Sequence, residues 1–384
     1  MATNTLGVYN PIFYAQEALI HLEKALGMAA RVHRGYDEER RSFRRGQTIS
    51  IRKPSTFTAE NAPSAAQDLD TQYVNLTLDY WREVKFALTD KELALTGERI
   101  IADHIRPAAY ALANDIDLKL CALYRDIPWF HDNHDDTAID VSDVTGPRRV
   151  MFENGVPVDD VDRMHYMVDG ALQEGLLRLS AFTQHQGAGD TGVAAQMRGT
   201  LGRKFGLEIF ANQNVQTHTA GSVTATAPKV SGAHAAGATS VTLYDTALTG
   251  SLKAGDSLVI AGHSQRYAVT AEATASANAI SVSITPKLAA ACIGDEAVTL
   301  RTDSHVANLA FHRNAFGLAM APLTDIGNEL GARVATITDP KTGLALRSRL
   351  YYVGNSSEVH VALDVLYGIK TLDPNLACRG CGQV

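Results

Sequence analysis

The sequence predicts a multidomain α+β protein with a β-rich module inserted into it. Three patterns carry that expectation. Residues 96–126 show a long three- and four-residue apolar periodicity. Paired runs near both ends alternate with period two. Residues 220–300 shift to Ala, Gly, Ser and Thr with short alternating runs. No strand–helix unit recurs, so a doubly wound nucleotide-binding fold is not expected. No repeat of solenoid period is present.

The chain has 384 residues, room for two or three domains at about 150 residues each. Hydrophobic residues make up 45% and charged residues 20%, which excludes a disordered, collagen-like or coiled-coil chain. A formal charge of -7 argues against an electrostatic nucleic-acid binder. No apolar run of about 18 residues is available to span a membrane. Residues 1–10 lack the basic and apolar blocks of a secretory signal. The four cysteines are too few for a disulfide scaffold, so reduced thiols and a cytosolic chain are expected.

The first helix is expected within residues 12–30, where Ile12, Leu19, Leu22, Leu26 and Ala29 form a stripe. A basic stretch follows, with Arg31, Arg34, Arg40, Arg41, Arg44 and Arg45 interrupted by Asp37, Glu38 and Glu39. It reads as a solvated connector or as an arm that docks on an acidic partner or phosphate. Residues 47–53 put Ile49 and Ile51 on one face, and residues 73–80 put Val74, Leu76 and Leu78 on one face. These are two half-buried strands of a long hairpin. The connection Pro54–Thr71 is unusually long and polar, and an isolated two-stranded arm has too little core to stand alone. It needs a neighbour, on this chain or on another.

The helix at 96–126 carries Ile101, Ile105, Ala108, Leu112, Ile116, Leu120 and Leu123 on one face, with Asn114, Asp115 and Asp117 off it. Pro107 should kink or divide it. Residues 131–147 read as a polar loop, 158–180 as a helix, 187–192 as a glycine-rich loop and 194–205 as a short helix. In the module, strands are expected at 240–244, 257–260, 267–270, 279–284 and 296–300, spaced as in a small barrel or sandwich. Its two ends should lie close together. Strands follow at 308–322, 345–354 and 358–371, the last two antiparallel.

Chemistry-bearing motifs are weak. His131, Asp132, His134, Asp135 and Asp136 form the best metal candidate, but the spacing fits no compact site and a solvated acidic loop is the plainer reading. Cys378 and Cys381 supply two of the four ligands a structural zinc needs, and surface thiols are expected instead. No phosphate loop, nucleophile elbow or HExxH motif occurs. His305 and His312 read as structural. No catalytic residue, cofactor or metal is assigned.

Four segments carry a family resemblance. Leu112–Lys119 (LANDIDLK) resembles the end of a long spine helix. Gly250–Ile260 with Ile284-Thr285-Pro286-Lys287 resembles an inserted β-rich domain. Asn308–Phe316 (NLAFHRNAF) resembles the segment after that insertion, and Leu366-Tyr367-Gly368-Ile369 with Asp373-Pro374 a C-terminal strand and tail. The sequence resembles tailed-bacteriophage major capsid proteins of the Hong Kong 97 fold, most closely the coat-protein family of the Salmonella short-tailed temperate phage. The resemblance implies an arm (1–45), an extended hairpin (46–90) and a spine helix with peripheral domain (91–145). It implies a central axial α/β domain (146–219), the inserted barrel-like domain (220–300) and returning strands with a tail (301–384). It implies a non-enzymatic shell subunit in the virion, assembled in the host cytoplasm as pentamers and hexamers around double-stranded DNA. Scaffolding and portal proteins would be partners, and no membrane is involved. Inter-subunit contacts are then expected at Ile49, Ile51, Val74, Leu76 and Leu78, and scaffold or neighbour docking at the six arginines. The alternatives are a binding or adhesion protein working through residues 220–300, and a hydrolase or metal enzyme using the His131–Asp136 loop.

Overall fold

The computed structural model describes residues 15–16, 18–20, 27–34, 48–52, 59, 61–62, 66, 73–89, 99–132, 139–184, 190–323, 332–338 and 345–382. The chain forms two units. One holds Met1–Asp117 and Phe316–Leu372, the other Leu118–Ala315 and residues from Asp373 on.

The first unit is an antiparallel sheet ordered Phe316–Ala321, Glu358–Thr371, Ala345–Val353, Arg333–Thr338, with Tyr80–Thr89 along the other side of Glu358–Thr371. The strand Tyr80–Thr89 was not expected separately, although Tyr80, Val84, Phe86 and Leu88 alternate. The spine helix Arg99–Cys121 covers one sheet face. It is 23 residues long, or about 34 Å. Its buried stripe is Ile105, Ala108, Leu112, Ile116 and Leu120, as the periodicity predicts. The helix runs unbroken through Pro107, which lies on the exposed side, where water can satisfy the carbonyl left unpaired. Tyr367 Oη donates to Asp115 Oδ2 at 2.7 Å, and Arg82 Nε lies 3.2 Å from the same oxygen. Burial, reinforced by that carboxylate, raises the Tyr367 phenol far above its ordinary range.

Asp115 and Asp117 do not point to solvent as the stripe alone suggested. Asp117 is 3% exposed. Its carboxylate accepts from the N–H groups of Gly27 (2.8 Å), Met28 (3.3 Å) and Ala29 (3.0 Å). Residues 15–16 and 18–20 are helical, and the chain then turns at 27–32 around this carboxylate. Beyond the turn, His33 N donates to Phe316 O, and Leu318 N to His33 O, each at 3.0 Å. The start of the basic stretch is therefore anchored rather than free: Arg31 Nη1 caps the Gly27 carbonyl at 3.0 Å.

The second unit has a mixed sheet ordered Phe130–Asp132, Ala377–Gly382, His305–His312, Met164–Val168, Leu207–Ala211, Gly202–Lys204. Pairs Phe130–Asp132/Ala377–Gly382 and Met164–Val168/Leu207–Ala211 are parallel. Several expectations are corrected here. Residues 158–180 are not one helix: Met164–Val168 is a fully buried strand, and Asp169 then caps helix Gly170–Arg178 through the N–H groups of Ala171 and Leu172. The end of the supposed 131–147 loop is helix Ser142–Glu153. The helix expected at 194–205 is Asp190–Arg198, followed by the hairpin Gly202–Lys204/Leu207–Ala211. Residues 308–322 are not one strand: the turn Arg313–Ala315 divides His305–His312 from Phe316–Ala321, and the two halves serve different units. Tertiary partners overrode local periodicity at each of these places.

The inserted module is a six-stranded sheet ordered Val298–Arg301, Ser257–Ile260, Arg266–Val269, Ala279–Thr285, Ser240–Tyr244, Lys229–Val230. It closes on itself through the Lys229/Ala297 bridge, with Val230 N to Glu296 O at 2.9 Å and Val298 N to Pro228 O at 2.8 Å. Val241, Leu243, Leu258, Tyr267, Val282 and Ile284 fill it. Its ends do lie together, since Thr217–His218 pairs with His305 and Val306.

Replacing Asp117 by Ala leaves three inward N–H groups without their acceptor. The expected loss is about 3 kcal/mol or more by chemical denaturation, with a smaller loss for Asp117→Asn, which keeps one acceptor oxygen.

Candidate assembly surfaces

The strands Thr48–Arg52 and Tyr73–Thr77 form the expected hairpin, and its register pairs Ile49 with Leu76 and Ile51 with Val74. Within the chain, Ile49, Ile51, Val74, Leu76 and Leu78, the five residues expected at inter-subunit contacts, pack against Ala319, Ala321, Leu366 and Leu372. The reason is steric and local. Gly368 lies opposite Ala319 in the sheet, and a Cβ at Gly368 would meet Thr77 O at 2.2 Å. The missing side chain lets the hairpin base lie directly on the sheet. The outward face carries Thr48, Ser50, Arg52, Tyr73 and Asn75, all exposed. Ser50 Oγ donates to Asn75 Oδ1 at 2.9 Å, and the Arg52 guanidinium lies 5.8 Å from the Tyr73 ring centre. Most of the connection Pro54–Thr71 lies outside the described residues.

Further along the same sheet face sits a buried charge cluster that sequence reasoning missed. Asp364 is 0% exposed. It accepts from Arg347 Nε (3.0 Å) and Nη2 (2.5 Å) and from Trp81 Nε1 (3.1 Å), with Arg349 Nη2 at 3.3 Å. Arg349 also reaches Glu83 at 2.7 Å. Cross-strand register makes the cluster, because Asp364 lies opposite Arg347 on one side and Glu83 on the other. Trp81 remains 60% exposed above it, an aromatic anchor of the kind enriched in interfaces. The signal was the run Tyr80–Leu88, whose alternation continues past the hairpin.

Of the six arginines, Arg31 and Arg34 are half-buried in the anchored turn, while Arg40, Arg41, Arg44 and Arg45 lie outside the described residues. His134, Asp135 and Asp136 lie outside them too. His131 sits in the sheet with its ring against Gly146. Among the described residues no group of three His, Cys, Asp or Glu side chains is placed to hold a metal. Cys378 and Cys381 are not surface thiols: both are buried, in a strand flanked on both sides. Burial raises the Cys378 thiol far above its ordinary range, so it is not a nucleophile. Cys381 Sγ lies 3.2 Å from Arg301 Nη1. His305 and His312 are both buried, and burial lowers both.

Among solved structures, one of Mycobacterium phage Che8 matches over 92% of this chain and 90% of its own, at 15% identity and a TM-score of 0.53. The capsid structure of cyanophage P-SCSP1u matches over 88% and 84%, at 10% identity and a TM-score of 0.45. The mature capsid of bacteriophage PhiM1 matches over 86% and 80%, at 10% identity and a TM-score of 0.42. No protein-family model and no curated protein sequence matches the chain. The chain thus shares the mixed α+β fold of the Che8 structure, and a nearly closed six-stranded barrel lies in it.

Gly368→Ala is expected to lift the hairpin base and lower stability by about 1–3 kcal/mol in thermal unfolding. Gly354→Ala, with nothing within 4 Å of its Cβ, serves as the neutral control.

Proposed function

We propose that this chain is the major capsid protein of a tailed bacteriophage and builds its icosahedral shell from copies of itself. One observation carries this reading. The fold matches the Mycobacterium phage Che8 structure over 92% of this chain and 90% of that one, at a TM-score of 0.53. The chemistry agrees. A shell subunit needs broad surfaces repeated under symmetry, and modest contacts add up through multivalency. A chain of charge -7 encloses DNA without gripping it, so packaged DNA stays free to leave.

The finer reading also rests on the sequence resemblance. The subunit joins pentamers and hexamers in the host cytoplasm, with a scaffolding protein and a portal as partners, in the manner of the coat-protein family of the Salmonella short-tailed temperate phage. The arm, with Arg40, Arg41, Arg44 and Arg45, docks on the scaffold or a neighbour. The hairpin reaches a neighbouring subunit through its outward face and the 54–71 connection, since its apolar face is already occupied at home.

Electron microscopy of the protein, expressed alone and with its neighbouring phage genes, is expected to show closed shells, or spirals and tubes without a scaffold. A strictly monomeric or dimeric species under both conditions would overturn the capsid reading and favour a binding protein acting through residues 220–300. Deleting 54–71 is expected to leave a folded monomer that fails to assemble, and normal shells from the deletion would remove the hairpin from the contacts.

A further inference from the structure

The barrel is fastened to the central sheet partly through one turn. Gly255 and Asp256 of the barrel enter a socket made by Tyr124, His218, His305 and Arg379 of the sheet unit. Gly255 has a left-handed φ of +105°, and a Cβ there would meet the His218 ring at 2.9 Å. Its carbonyl accepts from Arg379 Nη1 at 2.7 Å. Asp256 accepts from His218 Nε2 at 2.9 Å, Gly221 N at 3.1 Å and Lys253 N at 2.7 Å. His218 Nδ1 lies 3.2 Å from Tyr124 Oη. His305 packs on His218 with ring centres 5.1 Å apart. Its Nδ1 is held 2.8 Å from Asp303 O, while its Nε2 is buried without a hydrogen-bond partner, as is Arg379 Nε.

We propose that this socket is an acid-operated latch: protonation of His305 expels the Gly255–Asp256 turn and loosens the barrel while the barrel and the central sheet stay folded. The groups facing His305 are Arg379 from Ala377–Gly382, Arg301 from Val298–Arg301 and His218 from Thr217–His218, with Asp256 beyond His218. An imidazolium there would carry a second N–H with no acceptor, beside two guanidinium groups. Opening the socket admits water to both.

Burial first, and Arg379 second, hold His305 at about 3 instead of its ordinary 6.5. The open state takes up its proton near 6.5 and the closed state only near 3. Between those values the open state binds more protons, so closure is fully stable above 6.5 and weakens as pH falls toward 3. The opening equilibrium grows about tenfold per pH unit in that window, or about a hundredfold between pH 7.5 and 4.5.

Hydrogen exchange on the full chain, corrected for intrinsic rates, tests this. Gly221 and the turn at Lys253–Asp256 are expected to exchange about a hundredfold faster at pH 4.5 than at 7.5. Strands Ala279–Thr285 and Met164–Val168 should keep their protection. In His305→Asn, which does not titrate, the turn should stay protected at both values. Unchanged exchange at the turn, equal loss in the core strands, or acid opening of His305→Asn like wild type would each overturn the latch. Should His305→Asn fail to fold, imidazole NMR of the wild-type chain decides. His305 must stay neutral well below its ordinary 6.5 in the closed chain, and an imidazole that gains its proton near 6.5 while the turn keeps its protection refutes the proposal.

Discussion

A carboxylate buried on the spine helix sets the geometry of the first unit. Asp117 gathers three consecutive backbone N–H groups from the turn at Gly27–Ala29. A buried acceptor of this strength tolerates few alternative positions for its donors. The turn is therefore pinned to the helix, and the residues after it reach Phe316 and Leu318 at the first sheet strand. The amino-terminal segment, the helix and the returning sheet, far apart in sequence, become one body through this contact.

The same device recurs at Asp364, Asp245 and Asp256. Asp364 collects Arg347, Arg349 and Trp81 across three strands. Asp245 holds the N–H groups of Thr226 and Ala227 at the barrel mouth, and those bonds keep its carboxyl below the usual range. Asp256 ties the barrel turn to His218. A buried charge loses far more when its partners leave than the pair contributes to net stability, so such joints specify geometry more than they add strength. That would suit the proposed shell subunit, whose copies must match one another around a closed surface.

Glycines permit close approaches that a side chain would block. Gly368 lets the hairpin base meet the sheet, Gly255 lets the barrel turn meet His218, and Gly380 admits the Tyr166 hydroxyl, which a Cβ would meet at 2.3 Å. The hairpin illustrates the consequence. Its apolar face is satisfied on its own sheet, which leaves a polar, aromatic face outward.

The sequence by itself determined the elements whose periodicity is long or strict. The spine helix, the two apolar hairpin faces, the antiparallel pair at the C-terminal end and five of the six barrel strands were legible, because one-sided burial writes a regular stripe into the chain, whereas the two-residue strand Lys229–Val230 was too short to leave one. Elements buried on both sides carry no such stripe. Met164–Val168 reads as part of a helix, and Ala377–Gly382 reads as a tail with two exposed thiols, because a strand buried on both faces has no alternation to mark it. The division of 308–322 between two units left no local mark either. Tertiary structure alone decided which charges go inside. Asp117, Asp256 and Asp364 look like surface residues in sequence, and only the arrival of N–H groups, histidine and arginine from tens to hundreds of residues away makes their burial favourable.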